Sequence, residues 1–385
     1  MIGSADSLSP ERRKPMIYLD YTATTPPDPA VVSAFNAVAM GYPGNENSEH
    51  QSGKAARNQT ESASEMILRR LLAPEHQVIF TSGATEANNL AIKGLADKKR
   101  HLGKHVITTP FEHASVIASF GVLQREGFEV EFTETGSDGT VKLDSLQALL
   151  RPDTILVSVG AVHGEIGIRQ PIDEIGRLLD KYPYITFHSD MTQAIGKIPV
   201  DVSMVDLATF SGHKIFGLKG VGALLRKKNV ILEPQIHGGH STTEYRSGTP
   251  PTPLHVSLAV ALGLAMDRED DQLRHVYGLN VYLRERLAAF PEVRINSPVS
   301  AIPHILNISV LPIPAEQMRA RLDARGICVS TQSACHSGKG RSEAVFRLTQ
   351  EEQRARTSVR ISLSRLTTVE EIDALIEALG AELGR

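Results

Sequence analysis

The chain has 385 residues, a formal net charge of −3 and a hydrophobic content of 41%; this is ordinary for a globular protein and long enough that two domains are expected. No run of Lys or Arg suits a polyanion, so no direct nucleic-acid partner is expected, and the longest apolar stretches are strand-sized, which argues against a membrane span. The only two cysteines, Cys328 and Cys335, and a polar start without an apolar leader region favour a reducing, cytoplasmic setting, with residues 1–15 as a loose tail.

In chain order, strand-like runs occur at 77–82, 105–110, 128–134, 154–159, 184–190, 206–211 and 221–226. Stretches of helical length lie between most of them, such as Ala84–Arg100, His113–Glu126 and Ile172–Lys181. This alternation predicts α/β layering around a mostly parallel, buried sheet. Only a turn separates the last two runs, so they are expected to pair antiparallel. After the proline-rich "GTPPTP" a long helical pattern runs from His255 toward Ala289. It is followed by "HILNISV", a helix near Ala315–Arg325, "ICVST", the Cys335 loop, "SVRISLS" and a final helix. That helix opens with Thr368 and Glu371 at capping-box spacing. The expected division is a large domain over 16–262 and a smaller α+β domain over 263–385, joined by the tail 1–15 and carrying the cysteine loop.

Four features fall at predicted strand ends, where doubly wound sheets gather their ligands. The first is "TSGATEANN", in which small residues open a helix with free N–H groups for an anion, although such helix starts are common. The second is "HSDMTQ", with Asp190 and Gln193; a buried carboxylate there needs a cationic partner or serves as an ordinary turn aspartate. The third is "FSGHKIFGLKG", where Lys214 sits on a glycine-rich turn between apolar runs, just after Ser211 and His213. A desolvated lysine becomes a nucleophilic amine. The fourth is His113 in "FEHASV", which on its own reads as a cap or core residue. Together they fit pyridoxal 5′-phosphate, which requires a Schiff-base lysine, a partner for its ring nitrogen and a phosphate site. Cys328, in an apolar run, reads as a small buried hydrophobe. Cys335, among small and polar neighbours, reads equally as an inert loop thiol or a reactive one.

The motifs "YLDYTATTPPDP", "TSGATEANNLAIKG", "EHASV", "EIG", "TQAIGK", "SGHKIFGLKGVGAL", "RSGT", "SAC" and "VRISLSR" occur in this order. Over nearly its whole length the chain resembles the cysteine desulfurases, a class V aminotransferase group of pyridoxal-phosphate fold-type I. The resemblance implies a homodimer that converts L-cysteine to L-alanine and passes the sulfur to an acceptor protein. It implies that Lys214 bonds the cofactor, His113 stacks on its ring, Asp190 pairs with the ring nitrogen and Gln193 meets the phenolic oxygen. The Ala84 backbone, Thr85, Ser211 and His213 would hold the phosphate, with Thr249 contributed across the dimer. Arg360 would bind the substrate carboxylate as a fork, with Asn45 nearby, and Cys335 would receive the sulfur. No metal site is implied. The wide spacing from Cys335 to Arg360 matches the branch with a long cysteine loop.

The chain also departs from the family pattern. "VHGEIG" puts Gly164 where an asparagine usually contacts the cofactor's phenolic oxygen, and a glycine offers no donor. His163 or a water is the candidate replacement. Met191 follows Asp190 in place of a small residue, and Glu46 replaces a proline. Two rivals remain at this level. One is a selenocysteine lyase, C–S lyase or epimerase on the same fold, which needs Lys214 but not Cys335. The other is a non-catalytic sulfur-pathway scaffold, which would not need a Schiff-base lysine.

Overall fold

The computed structural model describes residues 16–239, 243–331 and 340–385; Cys335 lies outside the described residues. β1 (Ile17–Tyr18) leads to α1 (Pro29–Gly41) and α2 (Gln51–Arg70). Then come β2 (His76–Thr81), α3 (Ala84–Asn89), a π turn at 90–94, α4 (Leu95–Lys99), β3 (His105–Thr108), α5 (Ala114–Arg125) and β4 (Glu129–Phe132). They are followed by α6 (Leu143–Leu149), β5 (Thr154–Ser158), α7 (Ile172–Leu179), β6 (Thr186–Asp190), β7 (Leu207–Ser211) and β8 (Gly222–Lys227).

These strands form a seven-stranded sheet in the order β2-β8-β7-β6-β5-β3-β4. Neighbours from β7 through β4 are parallel, whereas β8 runs antiparallel to both β7 and β2. Every residue of β3, β5, β6 and β7 is buried. Helices cover both faces of such a parallel sheet, and the polar side chains these strands bury, His105, His188 and Asp190 among them, are hydrogen-bonded. The antiparallel pair arises because the turn holding Lys214 is too short for a parallel crossover.

The rest comprises α8 (Thr252–Asp267), α9 (Glu269–Leu287), β9 (Val293–Ile295), β10 (Ile305–Val310), α10 (Ala315–Ala324), β11 (Ile327–Cys328), α11 (Glu343–Thr349), α12 (Glu352–Arg356), β12 (Ser358–Ser362) and α13 (Val369–Glu382). The single helical pattern expected from His255 toward Ala289 is two helices. They part at Arg268, which leaves helical geometry (φ −108°, ψ 2°) and pairs with Asp28 at 2.9 Å. Three acids, Glu269, Asp270 and Asp271, then open α9, where the helix dipole favours negative charge. The expected capping box is present at α13.

Two packed cores meet along this helix pair. Residues of α8 up to Ala265 pack with the large sheet. From Val276 onward α9 packs with the antiparallel sheet β12-β10-β9 and with α10 and α13. The N-terminal segment crosses between them: β1 pairs in parallel with β11, and Leu19 joins the second core. No helix among the described residues is long and apolar enough to cross a membrane.

Candidate active site

The carboxyl ends of β3, β5, β6 and β7 open onto a cavity of about 960 Å³. Ala84, Thr85, His113, Gly164, Asp190, Gln193, Ser211, His213, Lys214 and Arg360 all line it. Asn45 and Thr249 do not line it within one chain; both are exposed, and the Asn45 side chain accepts the Asn47 N–H in a turn before α2.

Lys214 ends a short 3₁₀ turn after β7. Its Nζ donates to the carbonyls of Thr22 and Ala23, at 2.7 Å each. The same N-terminal segment closes over the turn through Thr25, whose N–H and hydroxyl both donate to the His213 carbonyl. His213 touches Thr24 Oγ1 at 3.2 Å. Burial, reinforced by the charges of Lys214, Lys219 and Lys197, pushes its imidazole down to about 4, so the ring is neutral at neutral pH.

Opposite the turn, the Ala84 N–H donates to Ser211 Oγ at 3.0 Å. A side chain on Gly83 would come within 3.1 Å of that hydroxyl, and Gly83 has φ 155°, so glycine is what lets the α3 start approach β7. Asp190 ends β6 and accepts at both oxygens, from Asn88 Nδ2 at 2.7 Å and from the Thr192 N–H at 3.0 Å. Gln193 donates to the Thr22 carbonyl at 3.1 Å and accepts from Lys197. Lys197 is partly buried; desolvation, then the charges of Lys214 and Arg360, lower its ammonium from an ordinary 10.5 to about 7.

Arg360, on β12, reaches the cavity from the other core with its side chain only 3% exposed. It donates to the Gly164 carbonyl at 3.0 Å and pairs with Asp20 at 2.7 Å. Its buried Nε has no hydrogen-bond partner among the described residues. A Cβ on Gly164 would meet Gln193 Cγ at 3.6 Å, an ordinary contact. The neighbouring His163 accepts the Ile166 N–H at Nδ1 and packs edge-on against Phe111. Of the other two departures, Met191 is buried in the large core, while Glu46 is buried among Thr60, Thr252 and a rim of helices.

Several residues of the site went unread in the sequence. Asp20, Thr22 and Ala23 lie within "YLDYTATT", whose polar run directly after a strand was the available signal. Glu112, next to His113, is buried, and desolvation pushes its carboxyl up to about 8 although Thr109 and the Gly160 N–H both donate to it. Glu165 accepts a hydrogen bond from Ser342, the residue that caps α11, and so fastens the rim of the cavity to the start of that helix. Asn88 and Lys197 are visible only through their partners.

The donor set fits pyridoxal 5′-phosphate. It has a helix start and hydroxyls for a phosphate, a carboxylate for a ring nitrogen, a lysine amine for an aldehyde carbon, and a guanidinium with an unpartnered buried donor.

The sequence matches the family described as aminotransferase class-V over residues 17–375. It is 39% identical over 378 residues to the cysteine desulfurase IscS of Salmonella arizonae (strain ATCC BAA-731 / CDC346-86 / RSK2980), covering 96% of this chain and 93% of that one. Among solved structures, a NifS-like protein superposes with a TM-score of 0.89 at 32% identity, covering 96% of this chain and all (100%) of the other. A structure of SspA in complex with cysteine gives a TM-score of 0.78 at 31% identity, covering 91% of this chain and 99% of that one.

Proposed function

Because the chain belongs to the class V aminotransferase family, and is a pyridoxal 5′-phosphate-dependent cysteine desulfurase, we propose that the residues around this cavity divide the work of turning L-cysteine into L-alanine. Lys214 carries the cofactor. Ser211, Thr85, His213 and the Ala84 N–H hold its phosphate, with Thr249 supplied by a second copy in a homodimer. Asp190 would pair with the ring nitrogen, Gln193 would meet the phenolic oxygen and His113 would stack on the ring. When bound, the cofactor supplies an electron sink for the substrate's Cα.

The chain's own groups do the rest. Arg360 takes the substrate carboxylate through a fork already oriented by Asp20 and Gly164, with Asn45 beside it in the assembled enzyme. Lys214, when not bonded to the cofactor, rests on the Thr22 and Ala23 carbonyls and moves the Cα proton. The Cys335 thiolate attacks the substrate sulfur, forming an S–S bond as the Cβ–S bond breaks; the pair of that bond leaves with Cβ, which takes up a proton to become the methyl group of alanine. The outer sulfur of the persulfide then passes to an acceptor protein of iron–sulfur cluster assembly or tRNA thiolation, in the cytoplasm, and Cys335 returns to a thiol.

The observation that carries this reading is the meeting in one cavity of Lys214, Asp190 and an Arg360 whose Nε is buried and unpartnered among the described residues. The SspA complex with cysteine, on the same fold, supports the substrate. The test is to give purified protein L-cysteine and assay alanine and sulfide. Cys335→Ala should bind cofactor yet release no alanine at the wild-type rate and gain no sulfur by mass spectrometry. Normal desulfuration by Cys335→Ala, or added sulfur on Cys328, would overturn the persulfide route.

A further inference from the structure

Asn88 lies fully buried on α3 beneath the cavity floor. Its amide makes three hydrogen bonds: Thr209 Oγ1 donates to Oδ1 at 2.5 Å, and Nδ2 donates to Asp190 Oδ2 at 2.7 Å and to Ser115 Oγ at 2.9 Å. The amide has one possible orientation. Rotated by half a turn, it would set its oxygen against a carboxylate oxygen at hydrogen-bond distance, two acceptors with no proton between them.

That orientation fixes the direction of the next link. Ser115 Oγ accepts from Asn88, which leaves its hydroxyl proton for its other partner, His113 Nδ1, at 2.8 Å. The Ser115 N–H also points at Nδ1, at 3.2 Å, because His113 caps α5 with that nitrogen. An Nδ1 that receives a hydroxyl and an amide proton has no room for its own. The proton of the neutral imidazole then sits on Nε2.

We propose that Asn88 is a positioning residue that ties the two groups flanking the cofactor ring into one directional hydrogen-bond chain, holding the Asp190 carboxylate in place and, through Ser115, fixing His113 as the Nε2–H tautomer. This rests on the assignment of His113 and Asp190 to the cofactor made above. An amide is needed because no other side chain of this size can accept from Thr209 while donating to two acceptors. The chain also explains why a helix cap and a site residue coincide at His113: the same nitrogen that satisfies α5 is the one barred from carrying a proton.

The test uses the full-length, cofactor-loaded protein with ¹⁵N-labelled histidine. The wild type should show His113 with an unprotonated, hydrogen-bonded Nδ1 and a protonated Nε2. Asn88→Asp is nearly isosteric but offers Ser115 an acceptor, so the hydroxyl turns to the new carboxylate. The Nδ1 signal should then shift, and the visible band of the bound cofactor should move because Asp190 loses its amide donor. Ser115→Ala should reproduce the Nδ1 shift, and Ser115→Thr, which keeps the hydroxyl, should restore the wild-type signal. A wild-type spectrum with the proton on Nδ1 would overturn the inference. So would Asn88→Asp and Ser115→Ala spectra that superimpose on the wild type. Should Asn88→Asp fail to fold, the Ser115 pair decides alone. The nitrogen signals are read without turnover, so absence of alanine from the wild-type protein would count against the desulfurase reading and not against this chain of bonds.

Discussion

Lys214 has two backbone carbonyls as its resting partners, and both belong to a segment far away in sequence. Lys214→Ala should leave the cavity walls intact but make no product, and borohydride should fix no cofactor to it. A pyridoxyl mass on a wild-type peptide lacking Lys214 would refute the assignment. Gly164 allows a second prediction. Its missing Cβ faces Gln193 across an ordinary contact distance, and its backbone already serves Arg360. With the phenolic oxygen beside Gln193 as proposed, Gly164→Asn adds a donor toward it without displacing the Arg360 contact. A hydrogen bond to a charged oxygen contributes about 1.5–3 kcal/mol, so the pH midpoint of the cofactor's visible band should fall. Identical titrations of wild type and variant would mean that another group supplies this contact. The positions of Lys214 and Asp190 could be read from sequence because each closes or directly follows a strand-like run. Asp20, Asn88 and Lys197 could not, because they gain their partners through tertiary approach: 340 positions separate Asp20 from Arg360 and 102 separate Asn88 from Asp190.

Among the elements, the central strands were legible as short runs rich in β-branched and apolar residues between stretches of helical length, and the β7–β8 reversal followed from the length of the turn. The split between α8 and α9 was not, since a charged run such as "MDREDD" also suits a solvated turn of one continuous helix, and the break goes with the ion pair of Arg268 with a distant Asp28. The order of the strands was equally hidden, because β2 pairs with β8 and not with its sequence neighbour. The capping box of α13 is a local device and could be read directly. Thr368→Ala removes the acceptor for the Glu371 N–H and should cost about 1 kcal/mol in denaturant unfolding. Thr368 does not line the cavity, so kcat should stay at the wild-type value; a large loss of activity without loss of stability would contradict this division.

Across the whole molecule, Lys197 sits where burial and two nearby cations, Lys214 and Arg360, act against its charge. Its folded-state value of about 7 lies below its ordinary 10.5. Between these two limits the unfolded chain holds a proton that the folded chain does not, so cofactor-free protein should gain stability as pH rises from 7 toward 10.5. Below about pH 7 both states hold the proton and this dependence ends. The contribution is on the order of a few kcal/mol. Lys197→Met should flatten the pH slope in equilibrium unfolding, and an unchanged slope would assign it to other groups. The crossing of the N-terminal segment bears on how the protein is made. Asp20, Thr22 and Ala23 leave the ribosome early, yet their strand partner at Ile327–Cys328 and the guanidinium of Arg360 are synthesised near the end. The large sheet has all its strands by Lys227, long before the chain can pair β1 with β11 or seat Asp20 against Arg360. A nascent or truncated chain that stops short of β12 therefore has Lys214, Asp190 and the start of α3 but lacks Arg360; with Arg360 as the proposed carboxylate fork, binding of substrate waits until synthesis is almost complete.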